Sequence, residues 1–408
     1  MRRLLVCLLT LASAAMASAQ ESAVAPDAAA PDLYIEAMQA ISEGRSADAN
    51  HYLSALAAKA PRHAGEWLDL ALIHCALGHA EEAEQLFTDI ERRFTPPAPI
   101  MELINQRRAQ GCLRWKPASQ FSVSLTRGVD RNVNQGASNP SYDLGGSGLT
   151  LELLPQYLPQ ADQFSMVAAD YVREVNPNGA TVFAQMLVRH NDRLSDYSTA
   201  AAFGGFEVPW RWGRWRLSGS AFGGLLTLGG HLYQQQGQVQ MRVHAPVRMP
   251  KGMDVYAQMG LSHVRYTTSA NFNSNTTDLR AVLLHRRDDS QVRVSAAILH
   301  DRASGTRPGG DRDGWGMTMN GRYRITGPWQ GELDLSGQSW RGNLPYAPPL
   351  ILERRRQLTL AARATLVRSL GGGQSLRAEL RHVRNRENVS LFEYHDTIMQ
   401  LSWHWASF

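Results

Sequence analysis

Long hydrophobic runs are the first thing this sequence lacks. Beyond residue 20, no apolar stretch approaches the roughly twenty residues that a membrane-spanning helix needs. The mean hydropathy is −0.32, so a bundle of membrane helices is excluded. Charge is sparse, with 19% of the 408 residues Asp, Glu, Lys or Arg, and lysine supplies only three of the 42 basic side chains. Cysteine is rarer still, three in all. No cysteine–histidine cluster and no phosphate-cradling glycine loop appears, so neither a metal nor a cofactor is expected. What is present is ordered-protein material. Hydrophobic residues make up 43% and aromatics 8%, which rules out a mainly disordered chain. Glycine (34) and tryptophan (10) are plentiful, and many Gly and Trp with few charges fit a sheet-rich protein better than a helical enzyme.

The start reads as an address. Arg2 and Arg3 precede an apolar stretch from Leu4 to about Leu11, and small residues end in Ala17-Ser18-Ala19. This is the layout of a cleavable signal peptide over residues 1–19, cut after Ala19. Residues 20–31 are small, polar and proline-containing, and read as a linker. Residues 21–115 carry 8 basic and 14 acidic side chains, whereas residues 116–408 carry 32 and 23. The arginines of the basic part are scattered singly through alternating segments. That argues against nucleic acid as a partner and for a polar, cation-lined cavity. The mature chain keeps Cys75 and Cys112, which either pair in an oxidising compartment or sit as two small buried thiols.

Residues 32–115 hold a repeat. At an offset of 34, Leu33 matches Trp67, Ala37 matches Ala71, Gly44 matches Gly78, Ala49 matches Ala83, Leu53 matches Phe87 and Leu56 matches Ile90. Small residues let paired helices approach, the glycines end the first helix of each pair, and Pro61 and Pro96-Pro97 stop each unit. This pattern resembles the tetratricopeptide repeat. A third helix near Ile100–Ala109 would cap the stack.

From Gln120 the hydrophobic period changes to two. Phe121-Val123-Leu125, Leu149-Leu151-Leu153, Val182-Ala184-Met186-Val188, Val239-Met241-Val243, Val255-Ala257-Met259-Leu261 and Val292-Val294-Ala296-Ile298 all alternate with polar residues. Segments of about ten residues with one apolar face, joined by turns, mark a transmembrane antiparallel β-barrel over residues 119–408. Gln238, Gln240 and Arg242 on the other face suit a wet lumen. Short connections such as Thr326-Gly327-Pro328 alternate with longer polar ones such as Asp301–Asp313. Trp210, Trp212, Trp215, Trp329, Trp340, Trp403 and Trp405 fall near strand ends, where amphipathic rings favour the interface. About fifteen strand candidates can be counted, an odd number that cannot stand if both ends of the barrel share one side. The ambiguity lies between Phe164 and Arg189. The chain ends in Phe408, a terminal aromatic of the kind the barrel-assembly machinery reads.

The fold class expected is therefore α plus all-β, a short helical domain followed by a membrane barrel. This combination resembles the surface lipoprotein assembly modifier family (Slam) of Gram-negative outer membranes. Gly128-Val129-Asp130-Arg131-Asn132-Val133-Asn134 is similar to the family's D-x-N-x-N turn. Asn385 to Asp396 is similar to its segment before the terminal strand. The resemblance implies fourteen strands, an outer-membrane location with the repeat domain in the periplasm, and movement of lipoproteins or small secreted proteins across the membrane.

Candidate chemistry is thin. Asp130, Asn132 and Asn134 resemble part of a calcium loop but lack its later glycine and glutamate, so a hydrogen-bonded turn is expected. His285-Arg286-Arg287-Asp288, His300-Asp301 and His395-Asp396 could serve a barrel hydrolase, yet no serine partner can be placed. The acidic helix face of Glu81, Glu82 and Glu84 is the candidate cargo contact. The leading expectation is a non-enzymatic outer-membrane translocation protein. Its partners would be a cargo protein, the assembly machinery and the lipid bilayer. A polysaccharide-export porin with a helical scaffold is the alternative, and a barrel hydrolase comes third.

Overall fold

The computed structural model describes residues 33–42, 45–58, 63–112, 117–143, 150–176, 178–247 and 249–407. The signal segment with Ala19, the linker, Gly44, Pro61 and Phe408 lie outside them. The chain divides into two compact units, residues 1–114 and 115–408.

The first unit is helical. Helices α1 (Leu33–Ser42), α2 (Ser46–Ala58), α3 (Ala64–Leu77), α4 (Ala80–Arg93) and α5 (Ala98–Gln110) follow one another. The small residues that recur at the 34-residue offset are what the helix contacts require. Ala37, Ala49, Ala71 and Ala83 have no accessible surface. Gly78 ends α3 at φ 84°, a left-handed position that a residue with a Cβ resists, and its N–H reaches the Cys75 carbonyl at 3.2 Å. Phe87, Ile90 and Ile104 close the core between α3, α4 and α5. Cys75 and Cys112 are joined in a disulfide, their Cα atoms 4.6 Å apart. Of the two alternatives open from sequence, the bridge is the one formed, and it ties the end of α5 back to α3.

The second unit is a closed antiparallel barrel of fourteen strands. They are β1 (Ser119–Asp130), β4 (Asp162–Glu174), β5 (Thr181–Asn191), β6 (Thr199–Trp212), β7 (Trp215–Leu228), β8 (His231–His244), β9 (Met253–Tyr266), β10 (Ser274–Arg287), β11 (Ser290–Ala303), β12 (Arg312–Thr326), β13 (Trp329–Gly342), β14 (Arg356–Gly371), β15 (Gln374–Glu387) and β16 (Tyr394–Ala406). Closure comes from β1, which pairs with both β4 and β16, so no strand edge is left unsatisfied. Two short strands, β2 (Ser141–Asp143) and β3 (Thr150–Glu152), form a separate hairpin. The stretch left ambiguous by the sequence, between Phe164 and Arg189, holds parts of two barrel strands, β4 and β5. Of the apolar alternation Leu149-Leu151-Leu153, Leu149 lies outside the described residues, Leu151 belongs to β3 and not to the barrel, and Pro155 opens a 3-10 turn soon after Leu153.

Each strand has two distinct faces. Leu279, Ile298, Leu333, Leu380 and Leu401 are exposed on the outside, the arrangement a lipid-facing surface requires. The two ends differ. At the end where β1 starts and β16 stops, connections are as short as residues 213–214, 288–289, 327–328 and 372–373. At the other end they include residues 131–161, 304–311 and 343–355. Alternation has exceptions, such as Gly229-Gly230 at the long-loop end and residues 245–252 at the short-turn end. Trp212, Trp215, Trp403 and Trp405 stand near the short-turn end. Trp340 is a correction to the girdle expected from sequence. It sits near the end of β13 but turns inward, where its ring lies under the Arg312 guanidinium at 4.5 Å.

Candidate functional site

The register decides what faces the lumen. On β8, Gln234, Gln236, Gln238 and Gln240 share the inner face, because Val239 and Met241 between them are exposed outside. Gln258 of β9 extends this amide wall, its Nε2 donating to Gln240 Oε1 at 3.0 Å. Across the lumen the wall is ionic. Arg363 donates from Nε to Asp334 at 2.7 Å, and Glu332 lies 3.4 Å from Arg322 and 3.7 Å from Arg377. Arg242 pairs with Glu207 at 3.3 Å. The side chains of Arg322 and Arg216 are 61% and 60% exposed, so the lumen is wet rather than packed. These inward arginines meet carboxylates on neighbouring strands, so the polar lumen expected from sequence is lined here by ion pairs.

At the long-loop end the lumen wall opens into a cavity of about 370 Å³. Tyr233 and Tyr266 meet edge to face at 5.4 Å on one side, with Phe272, Trp340 and Tyr346 completing an aromatic lining. Three arginines reach it, and two buried carboxylates hold them in place. Asp301, with no exposed surface, accepts from Arg307 and Arg312 at 2.6 Å each and from the Thr276 hydroxyl at 2.8 Å. Glu387 takes Arg355 in a bidentate pair at 2.7 and 3.1 Å, and the same guanidinium lies 4.4 Å from the Phe392 ring. Aromatic faces with fixed guanidinium groups suit a polar ligand with a planar or anionic portion.

The residues singled out from sequence fall elsewhere. Asp130 is buried at the end of β1, accepting from the Asn132 N–H at 2.9 Å and from Arg189 at 2.6 Å. The Asn132 amide donates to the carbonyls of Gly136 and His395, both at 3.0 Å, and its oxygen accepts from the Gly136 N–H at 2.7 Å. Asn134 bonds the carbonyls of Gln156 and Leu158 and the Gln160 N–H. The three thus brace the long loop after β1, with polar atoms committed to it. Among the described residues no cluster of metal-ligating side chains occurs.

Glu81 and Glu82 occupy the exposed first turn of α4, where negative charge complements the helix dipole. Glu84 is engaged by Arg108 of α5, which also holds Glu91 at 2.7 Å. Those two carboxylates, Glu91 first, raise the Arg108 pKa well above the usual arginine range. Of the histidines, His395 accepts or donates at Nδ1 to the Ser138 hydroxyl at 2.8 Å. Among the described residues no hydrogen bond to its other ring nitrogen is formed. His300 and Asp313 pair at 2.5 Å on the outer face.

Sequence reasoning did not find the arginine–aromatic cavity. Its residues run from Tyr233 to Gln357 over separate strands and loops, and only the pairing register brings them together.

No protein-family model matches the chain, and no curated protein matches it. Solved structures do. They include the loop-L8 deletion mutant of OmpT, an outer membrane protein of Vibrio cholerae (7% identity, 71% of this chain and 99% of that one, TM-score 0.38). Others are the outer membrane channel DcaP of Acinetobacter baumannii (9%, 71% and 97%, 0.39) and an anion-selective porin from Comamonas acidovorans (10%, 72% and 100%, 0.35). Likeness this distant says nothing about what passes through the lumen.

Proposed function

We propose that the protein is an outer-membrane transport barrel that moves a protein cargo to the cell surface, in the manner the Slam resemblance implies, with its helical unit receiving that cargo in the periplasm. The observation that carries the reading is a closed fourteen-strand barrel with an apolar outside and a wet lumen. Two further features support it. The Cys75–Cys112 bridge belongs in an oxidising compartment. The chain enters β1 and leaves β16 at the short-turn end, which puts the long loops outside the cell when that end faces the periplasm. The work is binding and passage, with no covalent step.

The test compares the intact protein with a form lacking residues 32–115. Both are expected to give a heat-modifiable barrel in the outer membrane, and the shortened form to deplete specific proteins from the surface proteome. An unchanged surface proteome overturns the receiving role. One observation favours a second reading, export of a polysaccharide: the glutamine wall of β8 presents neutral amides that suit sugar hydroxyls. Loss of surface glycan with an intact surface proteome selects it.

A further inference from the structure

The lipid-facing side of the barrel changes character at the long-loop end. On β13, Leu333 and Leu335 belong to the apolar band. Ser339 follows, then Arg341. Arg341 stands directly opposite Arg356 of β14. One step towards the apolar band, Arg386 of β15 is opposite Leu358, and Arg384 is opposite Leu360 on one side and His395 on the other. Arg302 of β11 continues the line, its Nε on His300 at 3.1 Å. All five arginines are exposed. Among the described residues, Arg341, Arg356, Arg384 and Arg386 make no side-chain hydrogen bond or ion pair.

This arrangement is costly without a ligand. Like charges directly opposite on paired strands repel, and here they do so at the edge of a low-dielectric band. The lumen solves the same problem with carboxylates: Arg363 has Asp334, and Arg355 has Glu387. On the outer face one carboxylate, Asp313 of β12, stands opposite Arg341 and accepts from His300, so a single negative charge faces five arginines. The opposite end carries Trp212, Trp215, Tyr323 and Trp405 at the outer margin, and its outward Arg173 and Arg287 stand opposite serines rather than other arginines. Aromatic rings serve a zwitterionic phospholipid interface. The outward arginines of β11, β13, β14 and β15, which outnumber the one carboxylate among them on β12, serve anions.

We propose that this arginine belt is a docking surface for the phosphomonoester groups of a bisphosphorylated glycolipid in the leaflet at the long-loop end. The chemistry selects this class over a phospholipid. A phosphomonoester offers three acceptor oxygens and more than one negative charge near neutral pH. It can therefore sit between two opposed guanidinium groups, whereas a phosphodiester carries a single charge. A glycolipid also places its acyl chains on the apolar band directly below. The assignment of that leaflet rests on the orientation proposed above, but the binding itself does not.

The full-length protein in detergent is presented with a bisphosphorylated lipid A, the same lipid with its phosphates removed, and phosphatidylglycerol, with inorganic phosphate as competitor. Retention is read by native mass spectrometry. The wild type is expected to hold the bisphosphorylated lipid in preference to the other two, and millimolar phosphate should not displace it. The paired substitution Arg341→Gln/Arg356→Gln should weaken retention about tenfold, and adding Arg384→Gln/Arg386→Gln should weaken it further. Arg173→Gln/Arg287→Gln at the other end should leave it unchanged, and all variants should remain heat-modifiable. Equal retention of phosphatidylglycerol, or undiminished binding by the fourfold variant, overturns the proposal. Either result leaves the transport reading standing, because cargo display is not measured.

Discussion

The helical unit and the barrel point their apolar residues in opposite directions. In the helices, Phe87, Ile73, Ile90 and Ile104 are withdrawn from solvent almost completely. In the barrel, Ile298 is 69% exposed and Leu279 58%, while Arg322, Arg363 and the glutamines of β8 face inward. Both units hold many apolar residues, and periodicity decides where those residues point. A period of 3.6 gathers apolar groups onto a stripe that another helix covers. A period of two sorts them onto a face that only lipid covers. The two units therefore draw stability from different sources: the helices from packing and a covalent tie, the barrel from a closed hydrogen-bond ladder and its lipid solvent.

The largest effect should come from the same truncation made in both. Phe87→Ala removes a buried ring and should cost the helical unit about 3–5 kcal/mol. Leu279→Ala, on the lipid face, should cost the barrel about 1 kcal/mol or less. Helical circular dichroism during melting reads the first, and heat-modifiability of the barrel band reads the second. Equal sensitivities would break the contrast. Next comes the covalent tie. Reduction, or Cys75→Ser/Cys112→Ser, should lower the stability of the helical unit by about 2–4 kcal/mol, because the bridge closes a loop with a sequence separation of 37. The barrel, built without cysteine, should melt as before.

A charge sharpens the contrast from the other side. Leu279→Arg places a cation on the lipid face well within β10 and should destabilise the barrel by about 2–4 kcal/mol, depending on depth. Glu82→Arg on the exposed face of α4 should change the helical unit by about 1 kcal/mol at most, since it only inverts a charge near a helix N-terminus. Insertion assays that rank the two alike would show that Leu279 does not face lipid.

Where the period was clean, the fold was legible. Val182-Ala184-Met186-Val188 became β5 and Val292-Val294-Ala296-Ile298 became β11, because alternation is a local property that survives without knowing a strand's neighbours. The repeat alanines were legible for the same reason. Leu149-Leu151-Leu153 misled because three alternating residues cannot reveal that Pro155 opens a turn soon after them. The candidate site was much less legible. Nothing local marks Asp301 as the partner of Arg307 and Arg312, or Trp340 as inward-facing. Net charge pointed to a polar lumen but does not say which face of a strand a given arginine occupies. Arg363 and Arg356 lie on one strand, yet the first is neutralised inside and the second stands outside.

The smallest effect expected is a pH dependence confined to the helices. His74 sits near the end of α3, its Nδ1 buried without a hydrogen-bond partner. Burial lowers its pKa below the ordinary value of 6.5. The neighbouring His79, its ring 5.6 Å away, pushes in the same direction, and Glu82 opposes them. Between the lowered folded value and 6.5 the unfolded chain binds more protons than the folded one. Stability in that window therefore rises with pH. The contribution is fully present above about 6.5 and is lost as pH falls through the folded value. Hydrogen exchange of α3 and α4 in the intact protein should quicken between neutral and mildly acidic pH. His74→Gln should flatten that response, and His79→Ala should weaken it. The barrel strands give the internal reference, since their exchange in the same sample reports any general acid effect. If His74→Gln leaves the slope of α3 exchange against pH unaltered, His74 is not the titrating group and the source lies among the carboxylates of α4.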